Sequence, residues 1–358
     1  MMEIKVLPLP EEKKKTKFTD ESALSFGRIF TDRMFLAEWK VSEGWVEARI
    51  QPYAPFVLDP SALVFHYAQE IFEGLKAYKW ADGSIALFRP EINARRFNLS
   101  AERLCIPEIP EDLFLEAISQ LVRLEKDWVP GSEGTSLYIR PAVIAVEPVL
   151  GVKPSDHYYF FVIMSPVGAY YAAGFNPVKI LVEDTYVRAV PGGTGEAKTG
   201  GNYAASLKAA QIAKKKGFDQ VLWLDGCDKK YIEEVGSMNM FFVYEDVVVT
   251  APLTGSILKG VTRDSVMKLA DTMGFRIEER QIAIDELVAD IRAGKVKEAF
   301  GSGTAAVITP VGVLSYKDES LTVGNGGVGN LTQKLYDTLT GIQYGKIPDT
   351  FGWVRKIS

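Results

Sequence analysis

The sequence predicts two domains that mix helix and strand, an α+β architecture. Three observations predict it. A chain of 358 residues is long for one hydrophobic core. Its first half mixes short strand-like runs with two amphipathic helical patterns. The segment PVGAYYAAGFNP, residues 166–177, carries Gly, Pro and small residues at both ends and reads as a linker. The expected division is a smaller first domain over 1–165, the linker over 166–177, and a larger second domain over 178–358.

Each element has its own signal. Residues 1–25 are polar, and FGRIFTDRMFLAEW then begins the sheet. GWVEARIQPY, SIALFR, SLYIRPAVIAV and HYYFFVIMSPV read as strands. EINARRFNLSAERL reads as a helix with Ile92, Phe97, Leu99 and Leu104 towards the core. In EDLFLEAISQLVRLEKDW the apolar Leu113, Phe114, Ile118, Leu121 and Leu124 keep close to the helical period. Beyond the linker, VKILVED and DQVLWLDG read as strands, and MNMFFVYEDVVVTAPL as a hairpin. NYAASLKAAQIAKKKG reads as a helix with Asn202 as N-cap and Gly217 as its stop. RDSVMKLADTMG is a further helix, apolar at Val266, Leu269, Ala270 and Met273.

Composition excludes several classes of function. With 47% hydrophobic and 24% charged residues the profile is globular, and the net charge of -5 offers no basic face for nucleic acid. Lys13 to Lys15 lie in the polar arm, and Lys214 to Lys216 suit a helix C-terminus. No apolar run has membrane-spanning length, and MMEIKVLPLPEEKKK lacks the apolar stretch of a signal peptide. A cytoplasmic protein is expected. Cys105 and Cys227 stand far apart without a CxxC, so neither a disulfide framework nor a metal site is expected. His66 and His157 are the only histidines, too few for a cluster.

GGTGEAKTGGNY, residues 192–203, comes close to a P-loop. Gly192, Lys198 and Thr199 fit the spacing, but Ala197 stands where glycine belongs. Pro191 precedes the glycines, and Gly200 and Gly201 delay the helix, so the strand and helix that a P-loop requires are not in place. A lysine between glycine-rich turns has another use. Burial lowers its pKa, and a neutral amine attacks carbonyls and forms Schiff bases. Taken alone, Lys198 would more simply be a surface lysine on a loop.

Its companions are HYAQEIFEGLKAY (66–78), RPEINARRF (89–97), LYIRPAV (137–143), EEVGSMN (233–239), LKGVTRDS (258–265) and FGSGTAAV (300–307). Together with GEAKTGGNY they resemble the branched-chain amino acid aminotransferases, a family dependent on pyridoxal 5'-phosphate. The resemblance runs from about Phe26 to about Val313, with its motifs in one order. FGRIFTDRMF, FEGLKAY and LGVKP look like the larger subgroup that includes the animal enzymes. The fold implied is the two-domain α+β fold type IV, D-amino acid aminotransferase-like, with the cofactor at the domain interface. The activity implied is ping-pong transfer of an amino group from L-Leu, L-Ile or L-Val to 2-oxoglutarate. Two neighbours in the same fold, D-amino acid aminotransferase and aminodeoxychorismate lyase, are the alternatives.

The resemblance also implies roles for residues. Lys198 would form the Schiff base and then shuttle the proton. Glu234 would face the pyridine nitrogen, leaving Glu233 as a solvated acid. Tyr203 would donate to the phenolic oxygen. Arg96, rather than Arg95 or Arg103, would reach the phosphate, with Leu258, Gly260, Val261, Thr262 and Thr304 forming its cradle at a helix start. Phe26, Tyr67, Phe72, Tyr138, Arg140, Val152, Ser237 and Ala305 would line the substrate pocket, Arg140 meeting a distal carboxylate. Tyr67 and Val152 would serve the neighbouring subunit of a homodimer. Two departures stand out: Ser237 replaces a threonine seen in some relatives, and Ala306 and Thr309 stand where the animal enzymes carry a CxxC.

Overall fold

A computed structural model describes residues 2–168 and 175–357. The chain divides into two compact units. The first comprises Met1–Tyr170, Ala197–Gly200 and Ile342–Ser358, and the second Tyr171–Glu196 and Gly201–Gly341. Residues 169–174 of the expected linker lie outside the described residues, and Pro166 and Val167 still belong to a strand.

The first unit contains β1 (Lys5–Val6), β2 (Arg33–Lys40), β3 (Gly44–Pro52), α1 (Leu63–Tyr67), β4 (Glu70–Phe72), β5 (Leu75–Lys79) and β6 (Ile85–Phe88). It continues with α2 (Pro90–Arg103), α3 (Glu111–Leu124), β7 (Ser136–Ala145) and β8 (His157–Val167). The two faces of β7 have different tasks. Leu137, Ile139, Val143 and Ala145 are buried in a core with Phe160 on β8 and Phe97 and Phe114 on the helices. Phe97 meets Phe114 at 5.4 Å and Phe160 at 5.7 Å between ring centroids. Tyr138, Arg140 and Ala142 point to the other face.

α2 buries Asn93, Ala94, Arg96, Phe97, Ser100 and Ala101. Leu99, expected in the core, is 48% exposed. The buried stripe instead admits Arg96 and Ser100, because both find partners described below.

The second unit contains β9 (Val178–Glu183), α4 (Gly200–Lys215, whose first residue Gly200 belongs to the first unit), β10 (Gln220–Leu224), β11 (Ile232–Val235), β12 (Met238–Val243), β13 (Val247–Thr250), α5 (Val261–Thr272) and β14 (Arg276–Glu279). α6 (Ile284–Arg292), β15 (Glu298–Gly303), β16 (Val307–Tyr316), β17 (Glu319–Thr322) and α7 (Asn330–Gln343) follow. Its sheet runs β11-β10-β9-β16-β15-β12, and β11 also pairs with β12, so these strands close on themselves. The final strand, β18 (Val354–Ile357), pairs antiparallel with β6. The C-terminal segment therefore lies in the first unit, whereas the sequence placed everything from 178 onward in the second.

α4 starts at Gly200, ahead of the Asn202 expected to cap it. Asn202 is buried, accepts from Thr194 Oγ1 at 2.7 Å and donates to the Thr194 carbonyl at 2.7 Å, so its amide is not available as a cap. The far end behaves as expected. Gly217 takes φ +83°, and the N–H groups of Gly217 and Phe218 close on the carbonyls of Lys214 and Ala213 at 3.1 and 3.0 Å.

Candidate active site

In the first unit, Lys198 is fixed by its main chain. Its N–H donates to Ser100 Oγ at 2.9 Å, and its carbonyl accepts from the Phe72 N–H at 2.9 Å. Its Nζ lies 5.0 Å from the centroid of the Phe72 ring. Ser100 in turn donates to the Arg96 carbonyl at 3.1 Å, so α2 carries both the lysine anchor and the arginine. Arg96 is gripped by Glu73 through two parallel contacts, Nε–Oε1 at 2.7 Å and Nη2–Oε2 at 2.9 Å. Asn93 adds a bond to Glu73 at 2.8 Å. Burial alone would raise the Glu73 carboxyl, but Arg96, Lys198 and Asn93 more than offset this and hold it below the ordinary carboxylate range.

The face of β7 turned away from the core brings more of the expected residues together. Arg140 Nη2 donates to Tyr138 Oη at 2.9 Å, and its guanidinium lies 4.6 Å from the Phe72 ring centroid. Phe26 meets the Tyr138 ring edge-on at 4.8 Å. Gly74 lets the Tyr138 hydroxyl close in, because a Cβ there would collide with it. Arg140 Nε is buried without a hydrogen-bond partner among the described residues. Tyr67 and Val152 do not join this cluster. They are exposed, Val152 at 82%, and the Tyr67 hydroxyl donates to the Leu150 carbonyl at 2.5 Å.

In the second unit, Glu234 is buried and pairs with the guanidinium of Arg188. Asn239 donates to Glu234 Oε1 at 3.1 Å and to the Leu258 carbonyl at 3.0 Å, tying the carboxylate to the segment that leads into α5. Gly260 lets the Asn239 amide approach, because a Cβ there would meet its oxygen. Val261 and Thr262 open α5 and are buried, and the N-cap position is Gly260, which has no side chain to cap the helix. Its first N–H groups and dipole point to an anion. Ser237 lies on the exposed turn between β11 and β12, its carbonyl 3.9 Å from where a Gly303 Cβ would stand, beside the turn that carries Thr304 and Ala305. That turn is closed by Val307 at φ +61°, strained for a β-branched residue. Tyr203 is half-buried in the first turn of α4.

Glu233 contradicts its expected role as a solvated acid. It is 6% exposed and accepts a hydrogen bond from the Ser256 hydroxyl. Burial pushes its carboxyl up to about 7, against the opposing pull of Ser256 and Arg188, and the Glu234 charge adds to the push. The physical reason is that β11 belongs to the closed sheet, where neither face is left to water.

The folded-state pKa of Glu233 lies above the unfolded one, so the contribution of protonated Glu233 is complete at low pH and is lost as pH rises through about 7. Glu233→Gln mimics the protonated form. It should melt higher than the wild type at about pH 8.5, by ~2–4 °C for each kcal/mol regained, and by a smaller margin at about pH 5, just above the unfolded-state glutamate pKa. Melting curves at both pH values test this, and a gain at the acid end alone would contradict it.

Sequence reasoning missed Arg188, Asn239, Glu73 and Ser100. Asn239 had a usable signal: the tight turn at Gly236-Ser237 sets Val235 opposite Met238 and so Glu234 opposite Asn239. The other three had none, since their partners come from distant segments.

The chain matches the model of a protein family described as Amino-transferase class IV over residues 70–314. The chain belongs to the class IV aminotransferase family. This aminotransferase is 56% identical over 339 residues to branched-chain-amino-acid aminotransferase 2 of Bacillus subtilis, covering 95% of this chain and 93% of that one. It is 52% identical over 338 residues to the branched-chain-amino-acid aminotransferase of Mycolicibacterium smegmatis, covering 93% and 92%. Among solved structures it resembles the branched-chain amino acid aminotransferase of Escherichia coli, with TM-score 0.73, 28% identity and coverage of 91% and 99%. The fold is also that of the Thermobaculum terrenum branched-chain amino acid aminotransferase in its PLP-form, at TM-score 0.73, 24% identity and coverage of 90% and 98%. The two α+β units of this aminotransferase are thus those of fold type IV.

Proposed function

We infer that this class IV aminotransferase moves the amino group of L-leucine, L-isoleucine or L-valine to 2-oxoglutarate, with pyridoxal 5'-phosphate as its cofactor. The observation that carries the substrate class is the outer face of β7. An aromatic wall of Phe26, Phe72 and Tyr138 suits a branched aliphatic side chain, and the guanidinium of Arg140 beside it suits a distal carboxylate. The branched-chain relatives at 52–56% identity support the same substrates.

The donor sets of both units fit the cofactor. The start of α5, with its glycine N-cap, its dipole and the Thr262 hydroxyl, suits a phosphate, and the buried, anchored carboxylate of Glu234 suits a pyridinium. Ser302, across the sheet from Asn239, keeps a buried hydroxyl without a partner among the described residues. When bound, the cofactor supplies an electron sink for the carbon that loses its proton. Lys198 offers the amine that links to it and that carries the proton. Arg96, held in direction by Glu73, and the N–H groups of Val261, Thr262 and Thr304 bind the phosphate. Leu258 and Gly260 shape the loop before that helix. Tyr203 donates to the phenolic oxygen, and Ser237 and Ala305 border the substrate.

The protein acts in the cytoplasm as a homodimer in which Tyr67 and Val152 of one copy border the substrate of the other. Their exposure supports this reading, and among the described residues no helix is long and apolar enough to cross a membrane. Heterodimers of a Lys198→Ala subunit with a Val152→Trp subunit should regain part of the activity that each parent lacks. No recovery in verified heterodimers would sink the shared pocket.

The test of function is a single-turnover scan of amino acids, followed through the visible spectrum of the loaded enzyme. L-leucine, L-isoleucine and L-valine should each change the spectrum, and 2-oxoglutarate should restore it. A response to D-alanine without one to L-leucine would instead support the D-amino acid aminotransferase alternative.

A further inference from the structure

The segment bearing Lys198 is held from outside by one strand. β4 pairs with β7 through Glu70, Ile71 and Phe72, and the Phe72 N–H reaches out to the Lys198 carbonyl at 2.9 Å. Two residues earlier on that strand, the Glu70 carboxylate accepts the N–H of Gly200, the first residue of α4. Thr199 Oγ1 lies 3.5 Å from the same oxygen. Gly200 is matched to this contact, because a Cβ there would run into the Glu70 carboxylate. The helix that starts there spans 16 residues, and an anion at its N-terminus meets both a free N–H and the positive end of its dipole.

We propose that Glu70 is a positioning residue for Lys198, fixing the direction of its side chain by anchoring the start of α4 from β4. The inference rests on the reading of Lys198 as the reactive amine. Phe72 and Ser100 hold the lysine's own peptide groups, and Glu70 holds the turn that follows, so the lysine is clamped on both sides. Three anchors on one short segment leave its Cα–Cβ direction little freedom, which is the condition for a side chain that must place one nitrogen on a reacting carbon. The carboxylate is half-buried, and Arg140 on β7 is the charged group that faces it. Burial raises its pKa above the ordinary range, despite the opposing hydrogen bonds of Gly200 and Thr199 and the Arg140 charge. Glu70 therefore takes up a proton at milder acidity than a solvated glutamate, and the anchor weakens when it does.

The test uses the full chain, with wild type, Glu70→Ala and Glu70→Gln. Amide-exchange protection of residues 198–203 is measured on the apoprotein from about pH 5 to 8, and kcat and KM for L-leucine on the loaded enzyme. Glu70→Ala should lose protection by at least about tenfold, the factor expected on losing a hydrogen bond to a charged group. Its kcat should fall by at least about threefold with KM little changed, since the lost anchor directs the reactive amine and touches none of the proposed substrate contacts. Glu70→Gln keeps an acceptor but no charge. Its protection should be intermediate and independent of pH, whereas that of the wild type should fall towards acid. Wild-type protection in Glu70→Ala, or a pH series in Glu70→Gln that follows the wild type, overturns the proposal. Should Glu70→Ala fail to fold, the pH series of Glu70→Gln decides alone. A protein that never takes up the cofactor would sink the functional reading, while the apoprotein exchange would still judge Glu70.

Discussion

Lys198→Ala is expected to lower L-leucine transamination by at least about 10⁴-fold, because one amine both links to the cofactor and moves the proton. The variant should remain folded. The bonds that hold residue 198, from its N–H to Ser100 and from the Phe72 N–H to its carbonyl, use main-chain atoms that alanine keeps. Glu73 loses a nearby positive charge but retains its two contacts to Arg96. Phosphate binding should therefore survive, and the purified variant should still take up cofactor without the spectrum of a lysine-linked one. Steady-state turnover near that of the wild type would remove Lys198 from its role. The experiment also separates the amine from a nucleotide-binding lysine, whose loss would weaken phosphate binding.

Glu234→Gln should slow the proton-removal step by at least about tenfold, which needs only ~1.4 kcal/mol of barrier. A carboxylate beside the pyridine nitrogen keeps that nitrogen protonated, and each lost unit of that preference is worth roughly 1.4 kcal/mol. The structure adds a second effect. Arg188 is buried against Glu234, and its remaining acceptors, the Gly195 carbonyl at 3.3 Å and the Ser256 carbonyl at 3.4 Å, carry no charge. Removing one partner of a buried pair leaves the other uncompensated, so the variant should also melt lower. Glu233 is the nearby carboxyl that can answer Arg188, and the substitution should draw its pKa down from about 7. The double change Glu233→Gln, Glu234→Gln should consequently be less stable than the sum of the singles predicts. Single-turnover rates with L-leucine and melting curves of both singles and the double test this. A near-normal rate in Glu234→Gln, with a slow Glu233→Gln, would reassign the pyridine partner.

Local sequence specifies the elements, most of their faces and the identity of the chemical groups. HYYFFVIMSPV reads as a strand and is one from His157 to Val167, because its short run of aromatic and β-branched residues suits a pleated, packed surface. The helix at 261–272 and the hairpin at 238–250 follow equally local rules, those of a 3.6-residue period and a short polar turn. The family motifs, each a few residues long, were legible because close approach, anion binding and amine chemistry demand particular side chains at fixed spacing. What those side chains touch is set by the folded chain. Leu99 reads as core yet faces outward, because α2 turns Arg96 and Ser100 inward to Glu73 and Lys198. Asn202 reads as a cap, but Glu70, more than a hundred positions away, takes the start of α4. Glu233 and Glu234 are neighbours in sequence and alike in charge. What separates them is that Arg188 pairs with one and Ser256 bonds to the other, and both partners arrive from segments that no local pattern connects to β11. Periodicity is written in adjacent residues. Burial and charge depend on the whole closed sheet, so they emerge only when distant segments pack together.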